Sequence, residues 1–456
     1  MKNMTLANIT KACNGTYCGD KALLNEEISG VEKDSRLIEK GMLYLPFVGN
    51  VVDGHDFIPQ VFEKGALCTL SEKELDNPAG PYILVDSVNV ALKDIAEYYR
   101  STLSTKIIGI TGSVGKTSTK EIIASVLSEK FNVLKTEGNY NNEIGMPLTI
   151  LRIREEHQVG VIEMGISDFG EMHRLSKVSR PDIAVITNIG TCHLEKLGDR
   201  DGVFKAKTEM FEYVSKDGAV ILNGNDDKLI EVEKVGDITP QFFGVDGDFD
   251  CKAVSYESLG LTGTSITIDY KGETFDSVIP VPGHHMVYNA LAATCVGRTL
   301  GMSFEEIDRG IRKLKTIGGR NNIIETEKYI IIDDCYNANP VSMRASIDVL
   351  GLAKGRKVAI LGDMFELGEN EIHLHKEVGE YAGKSKIDKL ICIGSLAENY
   401  AEGAYEAGGN MEIVHYNTKE DFLDAIDEEI LEHDNILIKA SNGMKFKELV
   451  EYFKDK

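Results

Sequence analysis

The stretch from Lys106 to Glu121 limits the possible folds of this chain more than any other. The apolar run Lys106-Ile107-Ile108-Gly109-Ile110 predicts a buried strand, and Lys116 onward predicts a helix. Between them lies Gly112-Ser113-Val114-Gly115-Lys116-Thr117-Ser118. A strand that turns through glycines directly into a helix is the architecture of a phosphate cradle. Gly112 and Gly115 let the backbone curl so that successive N–H groups, those of Ser113 and Val114 included, face one anion. Lys116 is expected to reach the β- and γ-phosphates, and the Thr117 hydroxyl to ligate Mg²⁺. The helix start, through Ser118, adds its partial positive charge. The spacing is a compact GxxGKT. A longer Walker pattern would need glycine where Ile110 stands, so generic P-loop families fit less well.

At 456 residues the chain should hold two or three domains. Hydrophobic residues make up 42%, as in ordinary globular proteins. The net charge of −23 argues against a nucleic-acid partner, because no broad basic surface is on offer. An ATP-using enzyme tolerates such acidity where a few local cations and Mg²⁺ hold the nucleotide. The amino-terminal MKNMTLANITKACNG lacks the apolar core of a signal peptide, and no run approaches the ~20 apolar residues that span a bilayer. The eight cysteines form no CxxC pair, and Cys13 and Cys18 read as free thiols. A cytoplasmic protein without membrane insertion is expected.

Three segments follow. Residues 1–85 alternate short strands and turns (ISGVEKDSR, GMLYLPFVG, DGHDF) with a helix-like stretch at Ile58 to Lys64, a small α/β module. Residues 86–315 carry the phosphate loop, two further buried strands (VGVIEMG and DIAVITNIG), a β-rich stretch from Gln241 to Pro282 and a helix from about Val287 to Leu300. Residues 316–456 alternate strands (YIIIDDC, KVAILGD, KLICIG, EIVHY, NILIKAS) with helical stretches, the rhythm of a doubly wound, Rossmann-like sheet. The expected fold is a three-domain α/β enzyme with a mostly parallel central sheet and its site where the domains meet.

Two residues narrow what the phosphate loop does. Glu163 ends the strand VGVIEMG, and His193 follows the strand ending Asn188-Ile189-Gly190, so a parallel sheet puts both at its carboxyl edge beside the loop. A carboxylate and an imidazole there can hold Mg²⁺ between ATP and a second substrate. Taken singly, Glu163 would read as a surface acid and His193 as a histidine bonding a loop carbonyl. Lys207, in KAKTEMF, is by spacing a solvated helix lysine like its neighbour Lys205.

The motifs together resemble the Mur ligases, ATP-dependent amide-forming enzymes of peptidoglycan precursor synthesis. The likeness runs through DSR (Asp34 to Arg36), DGHDF (Asp53 to Phe57), GSVGKTSTKE, TEGNYNNEIGMPLTIL, EMGISDFGEMHRL, ITNIGTCHLEKLG, IIDDCYNANPVSM, LGDMFELGE and HKEVGEYA. YNANP, Tyr336 to Pro340, is the most specific and implies a member whose acceptor is D-alanyl-D-alanine and whose donor is a UDP-N-acetylmuramoyl-tripeptide. Read physically, YNANP is also a strand-to-helix connection with Pro340 in the first helical turn, which leaves Asn337 and Asn339 free to contact a ligand.

The resemblance implies roles. Ser35 and Arg36 touch the UDP-sugar end, and Asn142, Tyr336, Asn337 and Asn339 lie on the substrate side. Lys116 and Thr117 hold phosphates and metal, with Glu163 and His193 as further metal contacts. Lys207 matches the lysine that the family carbamylates with CO₂. Asn289, Arg320 and Asp334, with Asp333 as runner-up, hold ATP from across a domain interface. Catalysis would rest on Lys116, Glu163, His193 and Lys207, the protein working as a monomer. The Gly318-Gly319 pair reads either as a hinge or as an ordinary loop.

Two departures stand out. The family's Gly-x-His-Asn before the helix at 287 is met by Gly283-His284-His285, read as histidine in place of asparagine. Its Lys-Gly-Ser-Arg is met by Lys439-Ala440-Ser441-Asn442, which touches on acceptor identity. Other readings are a folylpolyglutamate or cyanophycin-type ligase, a P-loop switch or transport ATPase, and a silent binding protein. DSR and DGHDF argue against the first, and YNANP is unexplained by the second. The intact Lys116, Thr117, Glu163 and His193 argue against the third.

Overall fold

The computed structural model describes residues 1–316 and 318–456 and contains three β-sheets of five, nine and six strands. Each has its own segment of chain. The first is built from Thr16–Cys18, Val31–Glu32, Leu43–Tyr44, Cys68–Ser71 and Tyr82–Leu84, all parallel except the first against the last. The segment DGHDF forms a 3₁₀ turn, because the Asp53 carboxylate accepts from His55 N at 2.9 Å and fixes an Asx turn. The side chains of Leu43, Leu70 and Ile83 belong to the same hydrophobic core as Ile107 and Ile162 of the central sheet, with the helix Val88–Ser101 packed between. The first module therefore sits directly on the second.

In the central sheet the strand Lys106–Thr111 lies between Val159–Glu163 and Ile183–Ile186, parallel to both. Side chains alternate across it: Ile108 and Ile110 point to one core, Ile107 to the other. Helices Lys116–Leu127 and His285–Thr299 cover the first face. Val88–Ser101, Gly145–Leu151 and Glu171–Ser179 cover the second. The β-rich stretch after Gln241 extends the sheet and ends in the antiparallel hairpin Thr264–Tyr270/Glu273–Ile279. The chain passes to opposite sides of Lys106–Thr111, so the strand order reverses there. In an open parallel sheet this opens a crevice at the carboxyl ends of the strands.

The third sheet is doubly wound as expected, with only Asn322–Glu325 antiparallel. Helices Pro340–Gly351, Glu371–Gly383 and Glu398–Glu406 pack one face, and Lys419–Glu429 and Lys447–Asp455 the other. Its carboxyl edge, carrying Asp334 and Lys439, faces the crevice of the central sheet. Among the described residues no helix is long and apolar enough to cross a membrane.

Candidate active site

A cavity of about 980 Å³ lies between the two larger sheets, walled by the phosphate loop and the ends of the central strands on one side and by Arg320, Asp334, YNANP and Lys439 on the other. The loop needs its glycines. A Cβ on Gly112 would stand 2.0 Å from the Thr187 hydroxyl, and both Gly112 and Gly115 have left-handed φ, +151° and +83°. The N–H groups of Ser113 and Val114 do not face the cavity as donors to an anion. They donate to the Asn188 carbonyl and side-chain oxygen at 3.0 and 2.9 Å. The available donors are one step later. The first intrahelical bond runs from Thr119 N to Gly115 O, which leaves the N–H groups of Gly115 to Ser118 at the helix start without helical partners. Lys116 curls over the loop, donating to the carbonyls of Gly112 (2.8 Å) and Ser113 (3.3 Å).

Glu163 is buried at 2% exposure and is no surface acid. Its Oε1 accepts from the Thr117 hydroxyl (3.2 Å) and the Asn141 amide (2.8 Å), and Lys120 Nζ stands 3.7 Å from Oε2. Oε2 itself accepts no hydrogen bond among the described residues. His193 is half-buried in the left-handed region at φ +53°, Glu366 of the third domain reaches to 3.6 Å from its Nδ1, and among the described residues its ring bonds no loop carbonyl. Burial, then Lys207 and Lys116, lowers its pKa and keeps the ring neutral, the form with a lone pair for a metal. Lys207 is only 1% exposed, and among the described residues its ammonium has no ion-pair partner. Burial, reinforced by Lys116, pulls its pKa down to about 8. Lys205 on the same helix is exposed.

Across the cavity, Asp334 is held by Lys439 Nζ at 2.6 Å, Ser346 Oγ at 2.5 Å and Asn321 N at 3.1 Å. Asp333 is turned away, accepting from Gly319 N at 2.7 Å, and the Gly319 carbonyl accepts from Tyr336 N. Gly319 is therefore fastened to the third sheet at both backbone groups and is no free hinge. Arg320 lies 4.0 Å above the Tyr336 ring. Asn289 reaches the cavity from the same domain as the phosphate loop rather than from across the interface, and its Oδ1 accepts from Thr119 at 2.8 Å.

Asn339 is not free for a ligand through its carbonyl. It is the N-cap of Pro340–Gly351, its Oδ1 accepting from Ser342 N at 2.9 Å, while exposed Asn337 keeps its side chain available. Asn142 likewise lines the cavity while its Oδ1 caps Gly145–Leu151. We expect Asn339→Ala to cost about 1 kcal/mol, read as a lower thermal midpoint. Ser35 and Arg36 lie outside the cavity lining; the Arg36 guanidinium pairs with Asp34 at 2.6 Å, and Ser35 is buried. Lys33 beside them stands 5.5 Å from the centre of the Tyr140 ring, which precedes Asn141 and Asn142 of the cavity lining.

Three family profiles cover most of the chain: "Mur ligase family, catalytic domain" at residues 27–100, "Mur ligase middle domain" at 110–297 and "Mur ligase, glutamate ligase domain" at 319–442. The UDP-N-acetylmuramoyl-tripeptide–D-alanyl-D-alanine ligase of Bacillus subtilis is 39% identical over 99% of this chain and 98% of its own length. The chain belongs to the Mur ligase family. Its fold is similar to that of MurF from Acinetobacter baumannii (TM-score 0.90, 30% identity, 99% of each chain). It is also similar to the MurF ligase of Thermotoga maritima solved with ADP (TM-score 0.82, 29% identity, 93% of this chain and 97% of that one).

Within the Mur ligase pattern, the departure before the helix at 287 needs recounting. From Gly283, His285 takes the histidine position and Met286 the asparagine position. Met286 is buried, with the Asn289 amide 3.3 Å from its sulfur. At the other departure, Ala440 is fully buried in the core beside Phe446, and the Asn442 amide donates to the Tyr336 carbonyl. Sequence reading gave no role to Lys120, Asn141, Asn188 or Asn321, and met Lys439 only as the first residue of the Lys439-Ala440-Ser441-Asn442 departure. Of the first four, Lys120 carried a local signal, standing one helical turn after Lys116 on the same face.

Proposed function

We propose that the chain joins D-alanyl-D-alanine to a UDP-N-acetylmuramoyl-tripeptide at the expense of ATP, as a cytoplasmic, monomeric enzyme of peptidoglycan precursor synthesis. The observation that carries this reading is the facing of two carboxyl edges across one cavity, with a phosphate loop on one and the YNANP segment on the other. In the reaction the tripeptide carboxylate attacks the γ-phosphorus of ATP, ADP leaves and an acyl phosphate forms. The dipeptide amine then attacks the acyl carbon, losing a proton, and phosphate departs. Two anions must meet in the first step, so Lys116, and Arg320 opposite, offset their repulsion. The two walls also keep water from the acyl phosphate.

Mg²⁺ fits the residues present. The buried Oε2 of Glu163, without a hydrogen bond among the described residues, forms with the Thr117 hydroxyl and a neutral His193 an incomplete set of donors. Among the described residues no cluster of three His, Cys, Asp or Glu forms a protein-only cage, which suits an ion that shares its shell with phosphate oxygens and water. Bound there, Mg²⁺ supplies positive charge to the phosphate oxygens. Lys207 fits carbamylation: unpaired, buried and pulled down to about 8, it presents about one amine in ten unprotonated at pH 7. The carboxylate-like product would face His193 and the metal.

Phosphate release from ATP and Mg²⁺ tests the reading. We expect release only when the UDP-tripeptide and D-alanyl-D-alanine are both present, with a UDP-pentapeptide in the mass spectrum. Release indifferent to the dipeptide would sink it. Ser35 and Arg36, on this reading, contact the UDP-sugar from the first domain, and Asn142, Tyr336 and Asn337 contact the peptide substrates.

A further inference from the structure

Asn321 is 8% exposed, sits in the left-handed region at φ +45° and lines both the main cavity and an adjoining cleft that shares Thr117, Ser118 and Arg320 with it. Its backbone N–H donates to Asp334 Oδ1, and its side-chain amide lies 3.2 Å from His285 Nε2, on the opposite domain. The carbonyl end, Oδ1, is buried and has no hydrogen-bond partner among the described residues. A buried acceptor left unpaired is costly, and one on a cavity wall is a place for a ligand's donor. The donor cannot be a phosphate, whose ionised oxygens only accept. ATP carries donors at its ribose hydroxyls and at the exocyclic amine of adenine.

We infer that Asn321 reads the nucleoside end of ATP, its Oδ1 accepting a hydrogen bond from the sugar or the base, and that His285 is the positioning residue that aims it. This rests on the proposed assignment of the cavity to ATP. It orients the nucleotide, with phosphates at Lys116 and Thr117 and nucleoside toward Asn321. Burial holds the His285 ring neutral, its pKa lowered to about 4, and in the tautomer that carries its proton on Nδ1 the Nε2 accepts from the Asn321 amide across the working pH range. The spatial neighbours of that ring are Asp334, Lys439 and His284.

Calorimetric titration of the full chain with Mg-ATP and three analogues tests it: 2′-deoxy-ATP, 3′-deoxy-ATP and the purine riboside triphosphate that lacks the exocyclic amine. Wild type should bind one of the three about 5- to 20-fold more weakly than ATP. Asn321→Leu should weaken ATP by a similar factor and leave that one analogue unaffected. His285→Ala should show a smaller loss that vanishes on the same analogue, a pattern that a general packing defect would not produce. Equal losses by Asn321→Leu on all four nucleotides, or none, would overturn the inference. Should Asn321→Leu not fold, equal affinity of the wild type for all four nucleotides would overturn it as well. Failure of the wild type to bind ATP at all would instead overturn the nucleotide assignment, and this inference with it.

Discussion

Lys207→Met will reduce turnover by about 10²–10³-fold, the scale of losing one electrostatic stabiliser in a closed site, and will not destabilise the fold. Both halves follow from one geometry. The side chain is 1% exposed and, among the described residues, its ammonium has no counter-ion, so methionine removes an uncompensated buried charge and keeps most of the volume. An unchanged or raised thermal midpoint beside lost activity would separate a chemical role from a structural one. A Lys207→Met variant with full activity would remove Lys207 from the mechanism. The wild type should also lose activity in CO₂-free buffer and regain it with bicarbonate. Only the neutral amine adds CO₂. With the folded pKa lowered from 10.5 to about 8, that form rises from about a tenth at pH 7 to about nine tenths at pH 9. At a fixed concentration of dissolved CO₂, reactivation should therefore quicken as pH rises through 8 and fade below it. The stability sign agrees: below pH 8 the folded chain carries the cost of the buried ammonium. Between about 8 and 10.5 the unfolded chain binds more protons at this site, so stability rises with pH over that window.

The second large effect concerns Lys439 and Asp334. The pair is buried, at 2% and 12% side-chain exposure, with 2.6 Å between charged atoms, and Lys439 also donates to the Asn337 carbonyl at 3.1 Å. Lys439→Met leaves a carboxylate on the cavity wall without its cation, which should cost about 3–5 kcal/mol. It also releases the loop that carries Asn337. The double variant Lys439→Met/Asp334→Asn should regain much of that stability, because the charge left behind is gone, yet still lack activity. Thermal and urea unfolding measure the first two, and phosphate release the third. If the single variant were as stable as wild type, Lys439 would be a spectator.

The segments read most securely from sequence are those whose partners are close along the chain. The phosphate loop, the helix after it and the cap at Pro340 depend on turn chemistry within a few residues, and the strands on apolar runs. DGHDF is equally local, its turn fixed by one Asx hydrogen bond. The N–H groups of Ser113 and Val114 were assigned to an anion although Asn188, more than 70 residues away, takes both. Asn339 was thought free because a capping asparagine and a ligand-binding asparagine look alike as letters.

The sequence by itself determined the α/β architecture, the phosphate loop and the placing of Glu163 and His193 at one sheet edge, because period, glycine position and strand ends are local properties. The family likeness singled out Lys207 over Lys205, but only the tertiary structure supplies the physical reason. Two residues apart on a helix they point some 200° from each other, and which side is buried depends on what packs there. The same holds for Lys439 with Asp334, 105 residues apart, and for Asn321 with His285, 36 apart. Each contact exists because two sheets present their carboxyl edges to one cavity, and a buried charge or amide takes its meaning from the partner that this meeting brings.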